Sequence, residues 1–127
     1  MKLIYCPECE DIVKLTPGYW RYCNCRASAG RYSLDGIVDA NNFVATKAEI
    51  TGLAVCFGIP NEQFVMALHT RATFTAWFYG DVIPHHGNVK VRKINKDRIA
   101  KENREAFEYI RNLHIKAKKE EEEEENK

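Results

Sequence analysis

The sequence predicts an α+β fold. Short β-forming runs broken by Gly, Pro and Asn fill the chain up to Ile94, and apolar residues then recur at helical spacing from Ile99 to Ala117. Two cysteine pairs, Cys6/Cys9 and Cys23/Cys25, stand at turn-like breaks near the beginning. The expected architecture is a cysteine-tipped β-hairpin packed on a small, mainly antiparallel sheet, with one short helix and one long C-terminal helix. A chain of 127 residues, 45% of them hydrophobic, supports one core and so one domain. It divides into the hairpin (1–34), the small sheet with its short helix (35–94), the C-terminal helix (95–119) and an acidic tail (120–127).

In order along the chain, Lys2–Tyr5 is strand-like and ends at Cys6-Pro7-Glu8-Cys9; Ile12, Val13 and Leu15 resume it. Thr16-Pro17-Gly18 is a turn, and Tyr19, Trp20 and Tyr22 lead as β-formers into Cys23-Asn24-Cys25. Ala27–Gly30 is small and turn-like, Tyr32–Leu34 is a candidate strand, and Asp35-Gly36 and Asn41-Asn42 are further turns. Phe43–Ile50 and Leu53–Ile59 are the next strands. After Pro60, Asn61 caps a helix over Glu62–His69 whose buried side carries Phe64, Val65 and Leu68. Thr73–Tyr79 is β-rich and a wide connection through Pro84–Asn88 leads to Val89–Ile94. Asn95 or Asp97 opens the last helix, which docks through Ile99, Ala106, Phe107, Ile110, Leu113 and Ala117. Glu120–Glu125 either frays into solvent or is held helical by Lys116, Lys118 and Lys119 at i+4.

The formal net charge of +1 hides an uneven distribution: residues 1–89 carry −1, residues 90–119 carry +7 and residues 120–127 carry −5. The whole-chain charge therefore says nothing about nucleic acid, and only a local patch can. No apolar run approaches the roughly 18 to 20 residues of a membrane span, and Met1–Tyr5 is too short for a signal-peptide core. A soluble, cytoplasmic chain is expected.

Cys6, Cys9, Cys23 and Cys25 form the informative constellation. Zinc favours four thiolates in a tetrahedron with sulfur at about 2.3 Å, and a tight Cys-Pro-x-Cys turn presents two sulfurs and its backbone amides to one ion. The competing readings are two disulfides, a redox dithiol or unliganded thiols. A cytoplasmic chain would not keep the first oxidised, and a bridge across Cys-x-Cys would be strained. With four thiolates no position is left for water, so the zinc would be structural.

Cys56, between Val55 and Phe57, reads as a buried small hydrophobe rather than a nucleophile. His69, His85, His86 and His114 offer it no base at a recognisable spacing, and there is no phosphate-cradling Gly loop, nucleophile elbow or zincin helix. No catalytic residue and no enzyme activity is assigned.

Two stretches point to binding. Trp20, Arg21, Tyr22, Arg26, Arg31 and Tyr32 interleave aromatics with arginines, a pattern that can stack bases and hold phosphates, unless the aromatics line the core. Lys90, Arg92, Lys93, Lys96, Arg98, Lys101 and Arg104 could form one basic face, or a merely solvated helix face. Six nearby glutamates would compete with phosphate for that patch or simply aid solubility.

The pattern Cys6-Pro7-x-Cys9-x-Asp11-Ile12-Val13-x-Leu15, Arg21-x-Cys23-x-Cys25, Gly30-x-Tyr32 and Gly52-x-Ala54-Val55-x-x-Gly58-Ile59-x-Asn61-x-x-Phe64 resembles small zinc-ribbon proteins of bacteria and their phages over roughly residues 1–78. Such relatives usually carry Gly directly after Cys-x-Cys, where this chain has Arg26. The resemblance lends no activity or substrate. It implies a small accessory gene product, of the kind phages use against host factors.

The expected function is accordingly non-catalytic: stoichiometric binding or inhibition of a host protein through exposed aromatics and the C-terminal helix. The alternative is nucleic-acid or nucleotide binding by Arg21, Arg26, Arg31 and the Lys90–Arg104 region. Salt separates the two, since phosphate binding weakens steeply with ionic strength and an apolar interface does not.

Overall fold

The computed structural model describes residues 1–43, 47–79 and 89–126. The α+β class holds, but with two four-stranded sheets in place of one. The first has the order β2 (Ile12–Lys14), β1 (Lys2–Tyr5), β6 (Val55–Gly58), β7 (Trp77–Tyr79), all antiparallel. The second runs β3 (Arg21–Tyr22), β4 (Ala29–Tyr32), β5 (Ala48–Thr51), β8 (Val89–Arg92); its last pair is parallel. Helix α1 spans Asn61–Thr70 and α2 spans Lys96–Glu125.

The layers follow from the period-two alternation of β4, every residue of which is buried. Tyr32 packs into a cluster with Ile4 and Val13 of the first sheet, Leu15 just after β2, and Ile50 of its own sheet. Ala29, one face over, packs with Trp20 and Ile99 beneath α2, and Arg31 on that same side reaches Glu102 of α2. The second sheet is thus covered on both faces, by the first sheet and by α2.

Gly30 explains why a segment composed like a turn is a central strand. A Cβ there would lie 2.8 Å from Leu15 Cδ2, 3.2 Å from Ile4 Cγ2 and 3.3 Å from the Glu49 carbonyl. Only a residue without a side chain lets the sheets approach this closely. Gly18, at φ 76°, takes the left-handed turn that brings the chain under α2, where an added Cβ would sit 3.5 Å from that of Ala106.

Both helices depart from expectation. Asn61 is the first residue of α1 rather than its cap, and its Oδ1 instead accepts from the Met1 ammonium at 2.7 Å. Phe64 is half-buried against Phe74, with ring centroids 5.5 Å apart, but Val65 and Leu68 are exposed. Asn95 caps α2, its Oδ1 accepting from the Arg98 amide at 2.8 Å. The helix docks through Ile99, Glu102 and Ala106, while Phe107 points outward at 57% exposure. Glu120–Glu125 does not fray: α2 runs unbroken through it. Among the described residues no helix is long and apolar enough to cross a membrane.

Candidate metal centre and the surfaces around it

The cysteine pairs sit on two hairpins rather than on one, and those hairpins belong to different sheets. Cys6 and Cys9 lie in the turn from β1 to β2; Cys23 and Cys25 lie in the turn from β3 to β4. The two turns close in parallel ways. In the first, the Cys6 amide donates to the Asp11 carbonyl at 3.0 Å and the Glu10 amide to the Cys6 carbonyl at 2.8 Å. In the second, the Cys23 amide donates to Ser28 at 3.0 Å and the Arg26 amide to Cys23 at 3.1 Å. The residue after the second cysteine of each pair is left-handed, Glu10 at φ 59° and Arg26 at φ 62°. Asp11 Oδ2 ties one turn to the other by accepting from the Asn24 amide at 3.0 Å.

The four Sγ atoms lie within 4.8 Å of one another. Cys6–Cys25 is 3.7 Å and Cys23–Cys25 is 3.6 Å. Sulfurs placed tetrahedrally at about 2.3 Å from an ion would be about 3.8 Å apart, so these edges fit that geometry. They are far longer than the roughly 2.05 Å of a sulfur–sulfur bond, and all five cysteines are free thiols. The two-disulfide reading is therefore set aside. The Ser28 amide donates to Cys23 Sγ at 3.4 Å, the kind of contact that supports charge on a ligating sulfur.

The sulfurs' proton affinities diverge. The Ser28 side chain, then the Cys9 backbone, pull the Cys6 thiol down to about 6. At Cys25 the Ala27 amide favours the thiolate, but desolvation and the crowding of Cys23, Cys9 and Cys6 outweigh it and push the thiol up to about 12. Four sulfurs this close cannot all ionise unaided, and a cation among them removes the conflict. These four cysteines can hold a metal ion. Cys56 is not one of them: buried in β6, its thiol is pushed up to about 11 by burial, as befits a core residue.

Comparison with family models, curated proteins and solved structures finds no match. What the surfaces can do follows from their own geometry.

The residues expected to bind a partner are not brought together. Trp20 is 3% exposed and cannot stack on a base. It lies under two guanidinium groups, Arg31 at 5.2 Å and Arg92 at 5.8 Å from its ring. Arg31 is buried too: Nε donates to Glu49 at 2.6 Å, Nη2 to Glu102 at 2.9 Å and Nη1 to the Gly18 carbonyl at 3.0 Å. Arg92 pairs with Glu102 through both terminal nitrogens, and Arg98 Nε donates to the same carboxylate at 3.1 Å. Arg31 and Arg92, with Trp20 beneath them, hold α2 to the second sheet and are taken up by Glu49 and Glu102, whereas Arg98 braces Glu102 from within α2 and stays exposed. Arg21 is exposed and donates to the Lys14 carbonyl at 3.1 Å; Arg26 is exposed over the Tyr22 ring at 5.7 Å. Lys90, Lys93, Lys101 and Arg104 remain exposed. His85 and His86 lie outside the described residues.

Glu49 and Glu102 organise this network and went unassigned in the sequence. Burial raises the Glu102 carboxyl, but the hydrogen bond and charge of Arg92, with Arg31 and Arg98, carry it below the usual carboxylate range. One signal was present: Glu102 stands between Ile99 and Ala106 on the docking stripe of α2, where an acid must have a cationic partner.

Proposed function

We propose that this chain is a non-catalytic, zinc-binding accessory protein that acts by stoichiometric binding or inhibition of another protein. Zinc suits a set of four sulfur donors at tetrahedral edges, and such a closed set makes the metal architectural. When bound, it would cross-link the β1–β2 turn to the β3–β4 turn, and so the first sheet to the second. Free thiols suit a reducing compartment, in keeping with the cytoplasm, that of a host cell if the gene is phage-borne. The CPxC…CxC motif supports kinship with the small zinc-ribbon proteins it resembles.

One contrast carries the choice of a protein partner over nucleic acid. Arg31 and Arg92 are spent on Glu49 and Glu102 inside the fold, whereas Phe107 and Ile115 of α2 stand exposed. The test has two parts on the full chain. Metal analysis of the folded protein should return one zinc per chain; an ordered, metal-free product overturns the metal reading. A labelled single-stranded oligonucleotide should show no salt-steep binding, and strong binding at low salt that collapses at moderate salt would return the function to nucleic acid.

A further inference from the structure

The exposed face of α2 carries a charge pattern that selects among protein partners. Arg104, Arg111 and Lys118 recur every seven residues, which places them on one line along a helix of 3.6 residues per turn. Phe107, Ile110 and His114 lie beside that line, and Tyr19, from the loop before β3, closes the far side. The result is a shallow groove of about 370 Å³ with an apolar floor. Arg111 and Lys118 line it, and among the described residues no carboxylate does.

Resting on the protein-binding reading above, we infer that this groove docks an acidic amphipathic helix of a partner protein. Helix-in-groove recognition needs an apolar floor for anchors at helical spacing, which Phe107, Ile110 and Tyr19 supply. Arg111 and Lys118 on the groove wall then meet carboxylates flanking those anchors. A second copy of this chain fits poorly: antiparallel pairing about the groove centre sets Arg111 against Arg111 and Arg104 against Lys118. The chain's own glutamates cannot fill the groove, because Glu120–Glu125 continues α2 and projects away along its axis.

The probe is a fluorescein-labelled helical peptide with leucine at the first and fourth positions of each heptad and glutamate at the flanking ones, titrated into the zinc-loaded full chain. Its counterpart carries lysine for every glutamate. The acidic peptide should bind saturably and the basic one about tenfold more weakly or worse. Phe107→Ser should weaken acidic-peptide binding about tenfold, and Arg111→Glu should weaken it similarly while improving binding of the basic peptide. Both side chains are exposed, so circular dichroism should confirm that the variants fold as the parent does. No binding of the acidic peptide, indifference to Arg111→Glu, or a doubled mass in light scattering that Phe107→Ser abolishes overturns the proposal. Should both peptides bind equally and both weaken in Phe107→Ser, only the acidic assignment falls and the face still docks protein. If neither peptide responds to Phe107→Ser, this face also leaves the protein-binding reading.

Discussion

Arg26 occupies a left-handed conformation, φ 62°, that costs an L side chain about 1 kcal/mol and glycine almost nothing. The amide hydrogen bond from this position to Cys23 uses no side chain. Arg26→Gly should therefore raise the unfolding free energy of the metal-loaded protein by about 0.5 to 1 kcal/mol in urea melts, with the cation over Tyr22 lost at little cost. Removing a ligand acts oppositely. Cys9→Ser should abolish binding of one zinc per chain and broaden the amide spectrum of the two cysteine turns; an unchanged spectrum with unchanged metal content would count against the site. At this scale the cysteines were legible because ligation chemistry is local in sequence: each pair spans one turn. That Trp20 and Tyr32 line the core was one of the two readings open in the sequence, but the inward course of Arg31 was not legible, because it depends on Glu102, 71 positions after it. An arginine beside an aromatic has the same local signature whether it faces a phosphate or a buried glutamate.

Among the elements, β4 was hidden by its composition and α2 was visible in its. Ala-Gly-Arg-Tyr has the small residues of a turn, but Gly30 is small because Leu15 and Ile4 press on it from the first sheet. Gly30→Ala should cost about 2 kcal/mol, since the blocking atoms include the Glu49 backbone carbonyl, which cannot swing aside. A thermal melt equal to that of the parent would show that the sheets can part at no cost. Helix α2 declared itself by period, cap and charge, and its 30 residues span about 45 Å. That length bears on the acidic tail. Glu120 lies about 24 Å along the axis from Arg104, beyond the roughly 8 Å over which charges interact at physiological salt. Deleting residues 120–127 should therefore leave any weak oligonucleotide affinity unchanged, whereas a marked rise would mean that the tail folds back to screen the basic residues.

For the molecule as a whole, two devices bear on how three layers are joined: a metal held by the cysteine cluster would link the first sheet to the second, and Glu102 links the second sheet to α2. The second device makes stability depend on pH in a defined direction. The folded-state pKa of Glu102 lies below its ordinary value of 4.5. The native carboxylate thus binds protons less readily than the unfolded one, and the stability this confers is complete above about pH 4.5 and is lost as pH falls through the lower folded value. A metal held by the four thiolates would be released as they take up protons in acid, which would steepen the same decline. Glu102→Gln separates the contributions. At neutral pH it should destabilise the protein by about 3 kcal/mol, because Arg31 and Arg92 lose their shared carboxylate in a buried setting. Between pH 5 and pH 3, at matched zinc, it should then lose less stability than the parent, since the group that titrates has been replaced while the thiolates have not. Parallel pH curves for the two proteins would show that Glu102 contributes nothing to the acid sensitivity and leave α2 held by the packing of Ile99 and Ala106 and by the hydrogen bonds of Asn103 to Trp20 and of Tyr109 to Ile37.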